Sequence, residues 1–144
     1  MTQMLIHVGP FKTGTTSFQD YMWHHWEALL KESILYPKAG IYSRNFGARH
    51  LHLARGSKNK SIDEVYELLM AELAGHPTVD KVVLSSERFS QCMEDLVARR
   101  KRYEHLNPKI VVVVRDEVTL VRSMYLQIVK SRFQLMKKKQ ATNL

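Results

Sequence analysis

The stretch Ile6-His7-Val8-Gly9-Pro10-Phe11-Lys12-Thr13-Gly14-Thr15-Thr16-Ser17 constrains this chain more than any other. An apolar strand runs into a glycine-bracketed turn, and the turn opens a helix. Gly9 and Gly14 can take backbone angles closed to other residues and let a ligand approach the main chain. The N–H groups of residues 13–17 stand at a helix start, where the macrodipole favours negative charge. Thr15, Thr16 and Ser17 add hydroxyl donors, and Lys12 adds a full positive charge. A Walker A loop, G-x-x-x-x-G-K-[ST], carries its lysine directly after the second glycine. Gly9 and Gly14 keep that spacing, but Thr15 stands in the lysine's place and the cation sits inside the loop, at Lys12. The junction reads as a phosphate loop with its cation moved.

The rest of the chain alternates strands and helices. Residues 3–8 read as a buried strand and 15–32 as a helix, with Phe18, Tyr21, Met22, His25, Ala28 and Leu29 near one face. Ile34–Tyr36 is a short extended piece ended by Pro37, and residues 38–60 are irregular, rich in Gly, Ser, Asn and basic residues. Ser61 with Glu64 spells a capping box for a helix ending near Gly75-His76-Pro77. Lys81–Ser85 is a strand, 89–105 a helix, Ile110–Val114 a β-branched buried strand, and 117–139 a last helix with Val118, Val121, Tyr125 and Ile128 on one side. This alternation predicts an α/β fold: a central parallel sheet flanked by helices in three layers. Ligands of such sheets bind beyond the carboxyl ends of the strands. Gly9, Glu87 and Arg115 each follow a strand, so they are expected at one edge.

The opening loop resembles the 5′-phosphosulfate loop of sulfotransferases that use 3′-phosphoadenosine 5′-phosphosulfate (PAPS), closest to the bacterial branch with a Lys-Thr-Gly-Thr-Thr-Ser core. Val111-Val112-Val113-Val114-Arg115, with Ser123 eight residues later, resembles that family's 3′-phosphate motif. The likeness spans about residues 4–130 and implies a P-loop-type fold. It also implies that Lys12, Thr13, Gly14, Thr15, Thr16 and Ser17 hold the phosphosulfate, while Arg115 and Ser123 hold the 3′-phosphate. A guanidinium fork suits two phosphate oxygens. Lys12 would also stabilise charge building on the leaving phosphate. Glu87, after the strand Lys81–Ser85, is the candidate base for the acceptor, with His50 or His52 as alternatives; Ser85 and Ser86 are candidates for binding cofactor or acceptor. The implied function is transfer of a sulfuryl group to a hydroxyl or amine of a small-molecule or carbohydrate acceptor, without metal. Sulfotransferases of this family are usually longer and close a glycine- and basic-containing loop over the 3′-phosphate and adenosine. No counterpart of that loop follows Ser123, which points to a truncated gene, a fragment, or a minimal form completed by a homodimer partner.

Bulk properties fit one domain over residues 1–144. Hydrophobic content of 44% and charged content of 25% are ordinary for a globular chain. The single cysteine, Cys92, excludes an internal disulfide and fits a reducing compartment. No apolar run approaches the roughly 18 residues of a membrane span, and the N-terminus enters the first strand almost at once, so a cytoplasmic chain without signal peptide or membrane association is expected. The net charge is +8, and six cations fall after Glu117 with no acid among them: Arg122, Lys130, Arg132, Lys137, Lys138 and Lys139. Without interleaved aromatics this tail reads as a solvated helix end, and no nucleic acid is expected. His50 and His52 alternate but lack further ligands at metal spacing. His7, inside a strand, reads as a core residue. Two other functions remain open: a P-loop kinase or NTPase, which needs a lysine after Gly14 and a metal-holding Asp such as Asp116, and a non-catalytic, truncated nucleotide-binding module.

Overall fold

A computed structural model describes residues 2–9, 12–42 and 48–141, with side chains as far as Phe133. The sequence reads as one domain; the backbone divides into two compact units, Met1–Val113 and Val114–Leu144.

The first unit is built on a four-stranded, all-parallel sheet. Its strands are β1 (Gln3–Val8), β2 (Ile34–Leu35), β3 (Lys81–Ser85) and β4 (Lys109–Val112), in the order β2-β3-β1-β4. Strand β1 pairs Met4 with Val82 and Ile6 with Leu84 on one side, and Ile6 with Ile110 on the other. Alternate side chains leave opposite faces. Met4, Ile6, Val8, Val82 and Leu84 pack beneath α3 (Leu51–Arg55), α4 (Ile62–Ala74) and α5 (Met93–Ala98). Leu5 and Val83 face the other way, toward Met22 of α1 (Thr15–His24) and Leu29 of α2 (Trp26–Lys31). Five aliphatic side chains of β1 and β3 on the first face are no more than 2% exposed. At about 1.5–3 kcal/mol per fully buried aliphatic side chain, they form a large part of the driving force. The capping box is present: Glu64 N–H donates to Ser61 Oγ at 3.2 Å, and Ser61 N–H donates to Glu64 Oε2 at 2.6 Å.

Several sequence expectations need correction. The helix expected over 15–32 breaks at His25, where the imidazoles of His24 and His25 donate to the carbonyls of Asp20 and Tyr21 and intrude on the ladder. Its buried stripe is Thr15, Gln19 and Met22; Phe18, Tyr21, His25 and Ala28 are exposed. Residues 89–105 are 3₁₀ turns around the short α5, because Cys92 and Tyr103 take φ near −129° and −125° and interrupt helical winding. The irregular stretch contains α3 and a bridge between Tyr42 and Arg49. β4 is not buried: Ile110, Val111 and Val112 are 42–57% exposed, because β4 is an edge strand and the helices of this unit lie over β1 and β3.

The second unit is the helix α6 (Glu117–Ala141) with its lead-in. Asp116 caps it, its carboxylate accepting from Thr119 N–H at 2.8 Å; the Thr119 hydroxyl first, and this N–H second, hold the Asp116 carboxyl below its usual range. Val118, Val121, Tyr125 and Ile128 are all more than half exposed. The cations Lys137, Lys138 and Lys139 lie beyond the described side chains.

Candidate functional site

The glycine loop leaves β1 at its carboxyl end. β1 sits between β3 and β4, so the loop stands where the strand order reverses, the crevice in which open parallel sheets bind ligands. Gly9 is closely packed: a Cβ there would lie 3.1 Å from Thr13 Oγ1 and 3.3 Å from the Val113 carbonyl oxygen. Gly14 is required for its conformation rather than for space, with φ of 86° and nothing within 4 Å of an added Cβ. Lys12 also takes a left-handed φ, 76°, which a side chain rarely adopts. Left-handed residues two apart turn the backbone into a concavity of the kind that collects N–H groups around an anion. Helix α1 starts from Gly14, with no side-chain cap among the described residues and no acid in its first turn. Thr16 and Ser17 are exposed, and Lys12 and Thr13 half-buried.

Thr15 is turned inward, 5% exposed, and its hydroxyl donates to Glu87 Oε1. Its backbone N–H therefore remains the part of Thr15 suited to a ligand. Glu87 is 4% exposed, just beyond β3. Its second oxygen, Oε2, lies 4.0 Å from Arg49 Nη1. Among the described residues Glu87 Oε2, Arg49 Nε and Gln19 Oε1 are buried without a hydrogen-bond partner. Buried polar atoms are rarely left so. Beside them, His7 Nδ1 and Ser85 Oγ are 2.8 Å apart, and Gln19 Nε2 donates to the same hydroxyl at 3.1 Å. Burial pushes His7 down, while the negative Glu87 works the other way. Ser86 Oγ accepts from Arg88 N–H. Apolar periodicity and motif spacing do not place Gln19, His7 or Arg49 at the site. The one readable signal is that Gln19 follows Thr15 by four residues, on the same helix face.

His50 has no spare nitrogen. Its Nε2 donates to the Pro37 carbonyl at 2.9 Å, and its Nδ1 accepts from Ser85 N–H at 3.0 Å. These partners fix the neutral ring, and full burial pushes its pKa down to about 4. His50 ties α3 to β3 and is poorly placed to act as a base. His52 Nδ1 donates to the Gly56 carbonyl at 2.8 Å, leaving Nε2 as its remaining polar atom.

The structure thus brings Thr13, Gly14, Thr15 and Glu87 to one sheet edge. Arg115, exposed, and Ser123, half-buried on α6, belong to the second unit. Asp116, the carboxylate that a nucleotide kinase would need for metal, is engaged in capping α6. On the α1 side of the sheet a cavity of about 490 Å³ runs from Leu5, Val83 and Val111 to Gly14 and Thr15. Among the described residues there is no cluster of three or more His, Cys, Asp or Glu suited to a metal ion, and no helix is long and apolar enough to cross a membrane.

No family model, no curated protein and no solved structure matches this chain.

Proposed function

We propose that the chain is a PAPS-binding sulfotransferase domain of P-loop α/β type. One observation carries this reading: an uncapped helix start and a left-handed lysine form an anion cradle at the switch point of a parallel sheet, directly against a buried carboxylate. Lys12 and the amides of residues 13–17 hold the phosphosulfate, and Arg115 and Ser123 take the 3′-phosphate. The bound donor supplies the sulfuryl group, its sulfur–oxygen bond breaking with the electron pair left on the 5′-phosphate. Glu87 takes the proton of the acceptor hydroxyl as that oxygen bonds to sulfur, a role typically worth about 10²–10⁴-fold. Lys12 and the α1 amides stabilise the charge on the departing phosphate, at roughly 3 kcal/mol for a well-placed donor.

The burial of Glu87 favours one second reading, a nucleotide-binding module in which Glu87 only positions Thr15. Calorimetry with 3′,5′-phosphoadenosine (PAP) tests what both share. Binding by the wild type, weakened at least about tenfold (1.4 kcal/mol) by Lys12→Ala and by Arg115→Ala, is expected. Absence of PAP binding, or Mg²⁺-dependent ATP hydrolysis, overturns the reading. Sulfation of an acceptor then separates enzyme from module.

A further inference from the structure

Tyr42 and the segment from His52 to Asn59 line a second cavity, polar and about 670 Å³, within the usual range of ligand sites. Its walls include Tyr42, His52, Arg55, Ser57, Lys58 and Asn59. The turn that shapes it is closely defined. Gly56 has φ of 72°, a Cβ there would lie 2.9 Å from the Lys60 carbonyl oxygen, and Ser57 N–H donates to that same carbonyl at 2.9 Å. A chain of contacts joins this cavity to the buried carboxylate. The Tyr42 ring meets His52 edge-on at 5.7 Å, the Arg49 guanidinium lies 5.8 Å from the Tyr42 ring centre, and Arg49 Nη1 is 4.0 Å from Glu87 Oε2.

Charge distinguishes the cavity. Between Glu32 and Asp63 the chain has six Lys and Arg and no acid. Among the described residues neither Arg55 nor Lys58 pairs with a carboxylate. Uncompensated cations in a concave wall raise the local concentration of anions. Ser57 and Asn59 supply both donors and acceptors for hydroxyl groups, and Tyr42 supplies a flat apolar face. We propose that this cavity is the acceptor subsite and that the acceptor is a polyhydroxylated anion of the sugar-acid kind, its negative group on Arg55 and Lys58 and its reacting hydroxyl at the Arg49–Glu87 pair. The inference rests on the sulfotransferase reading and names its acceptor class.

Two probes that differ only at C6, carboxylate against hydroxymethyl, test it: p-nitrophenyl β-glucuronide and p-nitrophenyl β-glucoside, titrated by calorimetry into the full chain with PAP present. The glucuronide is expected to bind at least about tenfold more tightly, 1.4 kcal/mol. Arg55→Ala/Lys58→Ala removes that preference and leaves PAP affinity within about twofold, which also reports that the variant is folded. Lys130→Ala/Arg132→Ala, which removes the same charge from α6, keeps the preference. Equal binding of the two glycosides, binding of neither, or a preference that survives Arg55→Ala/Lys58→Ala overturns the acceptor subsite while PAP binding stands. Failure of the wild type to bind PAP overturns instead the function beneath it.

Discussion

Thr15 Oγ1 donates to Glu87 Oε1, joining the first turn of α1 to the end of β3 across 72 positions of sequence. The contact seats a buried carboxylate beside the glycine loop. Replacing either partner has distinct consequences. Glu87→Gln keeps an oxygen that accepts from Thr15, so PAP affinity and urea stability change little, while sulfation falls about 10²–10⁴-fold for want of a base. Thr15→Val strips the buried carboxylate of its donor, at a cost of about 1–3 kcal/mol in urea unfolding. Wild-type turnover in Glu87→Gln would count against Glu87 as the base.

Lys12 holds φ of 76° without being glycine, a conformation that costs an L-residue roughly 1–2 kcal/mol. Glycine relieves it but loses more chain entropy on folding, about 0.5–1 kcal/mol. Lys12→Gly should therefore leave the protein as stable as the wild type, or up to ~1.5 kcal/mol more stable, while PAP binding is lost. A midpoint that falls with Lys12→Gly would show that the lysine stabilises the loop rather than the ligand.

His50 makes folding sensitive to acid. Its pKa is lowered to about 4 by burial, so between pH 6.5 and 4 the unfolded chain binds a proton that the folded one refuses. Stability from this group is present above pH 6.5 and lost as pH falls toward 4, with a slope of at most about 1.4 kcal/mol per pH unit and a total near 3 kcal/mol. His7, lowered in the same direction, adds to the loss. Urea midpoints measured from pH 7 to pH 4 should drop accordingly. His50→Asn, which can still donate and accept, should flatten that dependence; an unchanged slope would acquit His50.

Sequence patterning gave a clear view of β1 and β3, because both are apolar runs buried on two faces, and of α4, because its capping box is a local signal. It misplaced the buried side of α1. Thr15 and Gln19 are polar, and their burial rests on hydrogen bonds to Glu87 and Ser85, residues far away in sequence. Apolar periodicity registers Phe18 and Tyr21 instead. The same limit hid Arg49, whose place beside Glu87 follows from the Tyr42–Arg49 bridge and not from any spacing along the chain. Phe89, Leu96, Tyr103 and Leu106 are buried as one long helix would bury them, yet only Leu96 reaches the core from an α-helix; Phe89 and Leu106 sit in 3₁₀ turns and Tyr103 at the junction of two. β-branched composition marked β4 as a strand but could not tell an edge from a centre.

Arg49 and Glu87 form the last testable pair. Glu87 is almost wholly buried, while the Arg49 side chain is 34% exposed and stands at 4.0 Å, a separation that solvent partly screens. Arg49→Ala leaves Glu87 Oε2 in a buried site with no cation and no hydrogen-bond donor among the described residues, so it destabilises the protein. Glu87→Gln removes the charge that needs the arginine. In the double variant Arg49→Ala/Glu87→Gln the loss of the cation should therefore matter less than it does in the wild type. A double-mutant cycle on urea stability should give a coupling of about 1 kcal/mol, within the range found for neighbouring charges. Additive effects would mean that Arg49 stabilises the chain through its stacking on Tyr42, and that Glu87 draws its support from Thr15 alone.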